Sequence, residues 1–174
     1  MPYTRTWSEE LVAEWLQLDG YFIEISVPYG VTKAGGRFEA DVIGVKIENN
    51  ILEIKHIEVG NLAESATNNI KIIQNKFTPA KINALITYCR QKLAFKGKVN
   101  YSNLYVATYV SNRTIPLAKK NGVNLKCIED FIRDDVVPTI KRWKANPPYH
   151  PITRGKIIAL PDGLWLLHLI DYVL

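Results

Sequence analysis

At 174 residues the chain has the length of one ordinary domain with a single substantial core. With 47% hydrophobic and 22% charged residues it has a water-soluble, globular composition, and no apolar run approaches the roughly 18 residues of a membrane-spanning helix. The formal charge of +5, with basic residues clustered in NIKIIQNKFTPAK, RQKLAFKGK and IKRWKANPPYHPITRGK, suits a polyanionic partner and equally a mildly basic solvated surface.

The N-terminal stretch MPYTRTWSEELVAEW lacks the long apolar segment of a secretory signal. SEELVAEWLQLDG has helical spacing: Leu11, Val12, Trp15, Leu16 and Leu18 form one apolar face, Ser8 suits the N-cap and Gly20 the C-terminal cap. YFIEISVP alternates as a strand and ends at Pro28. YGVTKAGGR is a glycine-rich loop without the GxxxxGK[ST] pattern of a phosphate-binding loop. FEADVIGVKIE and ILEIKHIEV are β-branched runs joined by Asn49-Asn50, residues that tolerate the positive φ of a two-residue hairpin turn. AESATNNIKIIQNKF is helical through Ile70, Ile73 and Phe77; Pro79 interrupts it and AKINALITYCRQKLAF resumes as a second helix. NLYVATYVS reads as a buried strand, TIPLAKKNG as a short helix and VNLKCI as another strand. EDFIRDDVVPTIKRW is amphipathic with a kink or restart at Pro138, and NPPYHP is a loop. LPDGLWLLHLIDYVL is a short apolar helix suited to packing on the domain or on a second copy of the chain.

This order predicts an α/β fold in which a mixed sheet, an antiparallel meander plus a parallel strand, is flanked by helices. No repeat or linker divides it, so residues 1–174 form one domain. Cys89 and Cys127 show no metal-ligand spacing and point to a reducing cytosol, and His56, His150 and His168 are too scattered for a histidine-rich zinc site.

Residues 39–60, EADVIGVKIENNILEIKHIEVG, place Glu39, Asp41, Glu48, Glu53 and Glu58 in one otherwise apolar hairpin. With Asn49 and Asn50 as the turn, Glu48 pairs with Ile51, Val45 with Ile54, Ile43 with His56 and Asp41 with Glu58. Opposed residues share a face with Cβ atoms roughly 4.5–5.5 Å apart, so Asp41 and Glu58 meet. At about 5 Å and an effective dielectric near 20 their repulsion is on the order of 3 kcal/mol. That is large beside a net stability of roughly 5–15 kcal/mol. Protonation of one acid, a shared cation or bulk hydration would relieve it. The apolar neighbours Ile43, Val45 and Ile54 oppose full hydration, so a divalent cation is the most economical answer, and carboxylate oxygens suit Mg²⁺. Glu53 pairs with Lys46 on the other face and, with Lys55, reads as surface charge. Glu39 stands opposite Gly60 on the face of Asp41, either a further ligand or a solvated strand end.

A short helix bearing a Glu, the GYFIEIS strand, the EADVIG strand and the IKHIEVG strand together resemble the core of the PD-(D/E)XK nuclease superfamily, the restriction-endonuclease-like fold. Within it the resemblance is nearest to predicted endonucleases of the Mrr and Holliday-junction-resolvase type. It covers about residues 8–128 and leaves 129–174 as a helical C-terminal extension. The resemblance implies a cytoplasmic phosphodiesterase that cuts DNA with Mg²⁺ or Mn²⁺. In such enzymes the motif Asp and Glu, and the main-chain carbonyl of the residue after the Glu, bind the metal; carried over, these are Asp41, Glu58 and Val59. Glu10 of the first helix would join the metal shell, with Glu14 competing one turn on.

The pattern departs at its last position, because Glu58-Val59-Gly60 stands where the family has E-x-K. A lysine from elsewhere is one answer, with Lys76 the first candidate and Gln74 beside it. His56, on the face of Glu58, is a second, as a base or phosphate ligand, unless it is a satisfied, partly buried histidine. The third answer is a relative without catalysis that still binds DNA or serves as an assembly subunit. Trp143, Tyr149 and Trp165 could stack on bases but fit core or interface positions better. The leading expectation is a metal-dependent nuclease with Asp41, Glu58, Lys76 and His56 in its active site, and self-association as a homodimer.

Overall fold

Asn49 and Asn50 both adopt left-handed backbone, φ 51° and 59°, the geometry of the tight turn whose twist matches that of its flanking strands. The structure, a computed structural model, describes residues 6–32, 34–149, 153–154 and 157–174. His150 and most of the segment after it lie outside the described side chains.

Helix α1 (Trp7–Leu18) leads into strands β1 (Phe22–Tyr29), β2 (Phe38–Glu48) and β3 (Ile51–Leu62). Helices α2 (Ala66–Lys76) and α3 (Pro79–Lys92), strand β4 (Lys98–Val110), helix α4 (Thr114–Lys120) and strand β5 (Leu125–Cys127) follow. The five strands form one sheet in sequence order; β1–β2–β3 are antiparallel, and β4 and β5 run parallel to β3. The fold is therefore α/β with a mixed sheet between helices, as the sequence pattern implies. Among the described residues no helix is long and apolar enough to cross a membrane.

Local chemistry explains the element ends. The N-cap of α1 is Thr6, whose hydroxyl accepts the Glu9 N–H at 3.2 Å; Ser8, expected in that role, lies buried inside the first turn and bonds to Thr6. At the other end Gly20 takes φ 86°, its N–H donates to Gln17 O, and the Tyr21 N–H donates to Leu16 O, which is the paired closure of a glycine-stopped helix. Pro138 restarts the C-terminal helix: α5 (Ile128–Phe131) runs into a π-turn over Ile132–Val136, and α6 (Val137–Ala145) begins beyond it. The Val137 N–H reaches back to Ile132 O in that turn. Strand β4 starts five residues before the apolar run NLYVATYVS, because Lys98–Ser102, in which polar residues alternate with Val99 and Tyr101, pair in parallel with Ile51–Lys55. The small hairpin β6 (Thr153–Arg154) and β7 (Ile157–Ile158) carries no strong strand pattern and is not anticipated; α7 (Trp165–Val173) closes the chain.

Two apolar layers sandwich the sheet. On one side Leu11, Val12 and Leu16 of α1 pack with Val42, Ile57, Leu104 and Val106, and Ile140, Trp143 and Leu167 from the C-terminal helices complete that core. On the other, Leu85 and Cys89 of α3 cover Ile43, Leu52 and Ile54, while Ile73 of α2 covers Leu62 and Tyr105. The site lies where β1 and β2 change face. Ile23 and Ile25 pack toward α1, yet Val27 and Tyr29, at the same strand parity, pack toward α3. Ser26 between them has φ 52°, and the β1–β2 register passes from Ile25–Val42 to Val27–Ala40, leaving out Ser26 and Asp41. A left-handed serine costs on the order of 1–3 kcal/mol. That strain rotates the strand where Asp41 leaves the ladder.

Candidate active site

The hairpin register is the one the turn predicts: Glu48 pairs with Ile51, Val45 with Ile54 and Ile43 with His56. The ladder stops at Val42–Ile57, one step before the acids. There the Asp41 carboxylate replaces a strand partner, its Oδ2 accepting the Val59 N–H at 2.9 Å. The main chain of Val59 is thus tied to the first acid through its amide, beside the second.

Glu58 is 1% exposed and its two oxygens face different groups. Oε1 accepts a hydrogen bond from His56 Nε2 at 2.8 Å. Oε2 is in ion contact with Lys76 Nζ, which reaches it from the last turn of α2. Burial alone would raise the Glu58 pKa, but the His56 hydrogen bond and the Lys76 charge outweigh it and hold it below the usual glutamate value. Burial likewise works against the Lys76 charge, and the facing Glu58 and Asp41 overcome it, so the ammonium titrates above an ordinary lysine. Asp41 behaves oppositely. Burial and the nearby Glu58 push it up to about 6, against the Val59 N–H and Lys76, which pull it down. Asp41, Glu58 and Lys76 therefore share one field.

His56 is 0% exposed and both ring nitrogens are occupied, Nε2 by Glu58 and Nδ1 by the Tyr101 hydroxyl at 3.0 Å. The Phe77 ring meets it edge-on at 5.0 Å and the Tyr29 ring at 6.3 Å. The expectation that it acts as a base or phosphate ligand is corrected: a carboxylate can only accept, so Nε2 carries its proton toward Glu58, and no face of the ring reaches solvent. It positions Glu58.

The acids of α1 bear on different groups. Glu9, 7% exposed, is the α1 carboxylate whose charge raises the Asp41 pKa, whereas the charge of Glu10 bears on Glu14. Glu14 itself is 1% exposed and caps α7, accepting the Leu166 N–H at 3.2 Å and the Leu167 N–H at 2.9 Å. Glu39 is exposed and pairs with Pro28 at the strand end. Gln74 lines a cavity of about 220 Å³ with Asn103, Asn121 and Asn124. Trp143 is buried in the core with its ring 5.8 Å from that of Tyr149, while Tyr149 and Trp165 are half exposed.

Tyr105 was not anticipated. It pairs with Glu58 across the parallel ladder and is 4% exposed. A Cβ at Gly60 would lie 2.8 Å from its hydroxyl oxygen, too close for any side chain. The ring thereby closes position 60 to a side chain, and the ammonium beside Glu58 arrives from α2.

Two carboxylates and the main chain around Val59 are the oxygen donors that gather here. Among the described residues no group of three or more His, Cys, Asp and Glu side chains is placed to hold a metal. Mg²⁺ takes one or two carboxylates and keeps several waters, so this donor set fits it. The buried Glu58 Oε2, countered by the Lys76 ammonium, is the carboxylate oxygen that such a cation would meet.

No protein-family model matches the chain, and no curated protein does. Among solved structures it is similar to the crystal structure of a protein of unknown function, AF1548. Identity there is 15% and the TM-score 0.42, over 94% of this chain and 76% of that one, a likeness too slight to assign a function.

Proposed function

We propose that the protein is a divalent-metal-dependent nuclease that hydrolyses phosphodiester bonds in DNA, a relative of the PD-(D/E)XK enzymes that its hairpin strands resemble. The observation that carries this reading is the convergence of Asp41, Glu58 and Lys76 at the break in the β2–β3 ladder, with a buried carboxylate oxygen countered by the ammonium.

Asp41, Glu58 and the Val59 carbonyl would hold Mg²⁺ or Mn²⁺, which when bound polarises the scissile phosphate and lowers the pKa of a coordinated water. The chain's own residues prepare that place. The Val59 N–H fixes one oxygen of Asp41. His56 fixes Oε1 of Glu58 and leaves Oε2 turned to the site. Lys76, 39% exposed at its side chain, reaches from the buried acid to solvent and is placed to meet a phosphate oxygen. The net charge of +5 favours a polyanionic substrate. Cys89 and Cys127 are both free, in keeping with a reducing, cytoplasmic setting.

Nicking of supercoiled plasmid in Mg²⁺ or Mn²⁺ tests the proposal. Cleavage should be lost in Asp41→Ala and Glu58→Ala; wild-type protein that leaves the plasmid intact with every divalent ion would end it. Gly60 favours a second reading, a non-catalytic DNA-binding or assembly protein, which predicts salt-dependent DNA binding and no nicking at all. Trp165, Leu169 and Tyr172 are exposed on α7 and are the surface we assign to homodimer formation, checked by light scattering of a Leu169→Glu, Tyr172→Glu variant against the wild type.

A further inference from the structure

Three features invite a further reading: the carboxamide-lined cavity beside Gln74, the apolar cleft between β1 and α3, and the ion pair that covers Glu58. The third is carried furthest, because its partners, their burial and their charges are all defined.

Glu58 Oε2 is buried, and what stands against it is the Lys76 ammonium. The other oxygen is committed to His56, and His56 is in turn held by Tyr101, so the carboxylate cannot rotate to offer Oε1 instead. Any cation that binds Glu58 must therefore approach Oε2, and Lys76 is already there. Lys76 is not locked in place. Its side chain is 39% exposed, it stands in the last turn of α2, and a lysine stem has several rotatable bonds.

We infer that Lys76 is an exchangeable counter-cation: its ammonium occupies the divalent-cation position on Glu58 and must leave for the metal to enter. This rests on the metal-site reading above and adds the order of events to it. Without metal, Lys76 offsets the buried Glu58 charge, which would otherwise be costly so near Asp41. With metal, the same ammonium is released from Glu58 toward the mouth of the site, where a phosphate oxygen is its natural partner. Binding of metal and presentation of the lysine to substrate then become one movement. A binding-competent state populated in about one molecule in ten raises the apparent Kd about tenfold above its intrinsic value.

Calorimetric titration of the full-length protein with Mn²⁺ separates the outcomes, using wild type, Lys76→Met, Lys76→Arg and, as a control for general charge, Lys71→Met on the exposed side of α2. Exchange predicts that Lys76→Met binds Mn²⁺ about tenfold more tightly, while Lys76→Arg and Lys71→Met stay near wild type. Equal or weaker binding by Lys76→Met overturns the inference and leaves the metal site standing. Equal tightening by Lys71→Met also overturns it, since long-range charge would then suffice. If none of the four proteins binds Mn²⁺, the metal reading itself falls and this inference with it. Circular dichroism confirms that each variant is folded, and Lys76→Arg, which keeps the cation, covers the case in which Lys76→Met is not.

Discussion

The Tyr105 hydroxyl occupies the space into which any side chain at position 60 would project, 2.8 Å from an ideal Cβ. The ring cannot swing aside, because it is 4% exposed beneath α2. The clash belongs to the oxygen alone: the ring carbon that bears it would sit 3.8 Å from the same Cβ, an ordinary contact. Gly60→Ala should therefore destabilise the protein by about 1–3 kcal/mol, the usual cost of overpacking. The same substitution in a Tyr105→Phe background should be nearly neutral. A double-mutant cycle by urea denaturation reads the coupling directly. Additive effects would mean that the hydroxyl is not the obstacle.

Asp41 gives the site a pH signature in metal-free buffer. Its folded pKa of about 6 lies above the ordinary 3.8, so between those values the folded state holds the proton more tightly than the unfolded chain. Stability associated with Asp41 is thus highest at low pH and falls as pH rises from about 4 to 6, by on the order of 1–3 kcal/mol once solvent screening is allowed for. Glu58 has the opposite sign: its lowered pKa stabilises the fold above the ordinary glutamate value, and that contribution fades as pH drops. Asp41→Asn isolates the first effect, because an amide oxygen can still accept the Val59 N–H. The stability advantage of Asp41→Asn over wild type should grow from pH 4 to pH 7. A flat difference across that range would contradict the burial assigned to Asp41.

The acids of α1 divide by helix face. Glu14 supports α7 by accepting two of its first free N–H groups, and Glu14→Ala should cost about 1–3 kcal/mol by stranding them. It should leave Mn²⁺ affinity unchanged in a titration. Glu9→Gln should weaken Mn²⁺ binding by about tenfold, as one negative charge is lost beside Asp41. Glu10→Gln should leave that affinity unchanged. Weaker Mn²⁺ binding in Glu10→Gln but not Glu9→Gln would reverse the assignment.

These contrasts show which features of the site were legible in the letters. The hairpin was, because Asn49-Asn50 specifies the turn and the alternation on either side specifies the register, so Asp41 and Glu58 follow from chain geometry. Lys76 was, because its helix is the one that leaves the acid-bearing strand. Glu9 could have been found: it lies three residues before Val12 and seven before Leu16, on the sheet-facing stripe, whereas Glu10 falls off that stripe. The capping role of Glu14 depends on a helix 152 residues further along, and no local pattern announces it. Tyr105 reaches Gly60 only through the parallel register of β3 and β4, which sequence periodicity does not specify. The face change at Ser26 was equally silent, since a lone serine in an alternating strand is no turn signal.

His56 offers the sharpest separation of positioning from folding. Its Nε2–H holds Glu58 Oε1, and the Tyr101 hydroxyl at Nδ1 fixes the ring plane that aims that bond. His56→Gln places an amide nitrogen near the position of Nε2 and can still donate to Glu58, whereas His56→Phe fills the volume but leaves Oε1 buried without a donor. Both substitutions disturb the packing of the Phe77 and Tyr29 rings, so both should lower stability. Only His56→Phe should strongly weaken Mn²⁺ binding, by about 10–100-fold, the usual effect of losing a group that orients a metal ligand. Tyr101→Phe should lie between, costing about 1 kcal/mol in stability for the lost hydrogen bond with a smaller loss of affinity. A purely structural histidine predicts a different order, with Mn²⁺ affinity tracking melting temperature across all three variants. Equal affinity in His56→Gln and His56→Phe would therefore remove His56 from the site and leave it as core.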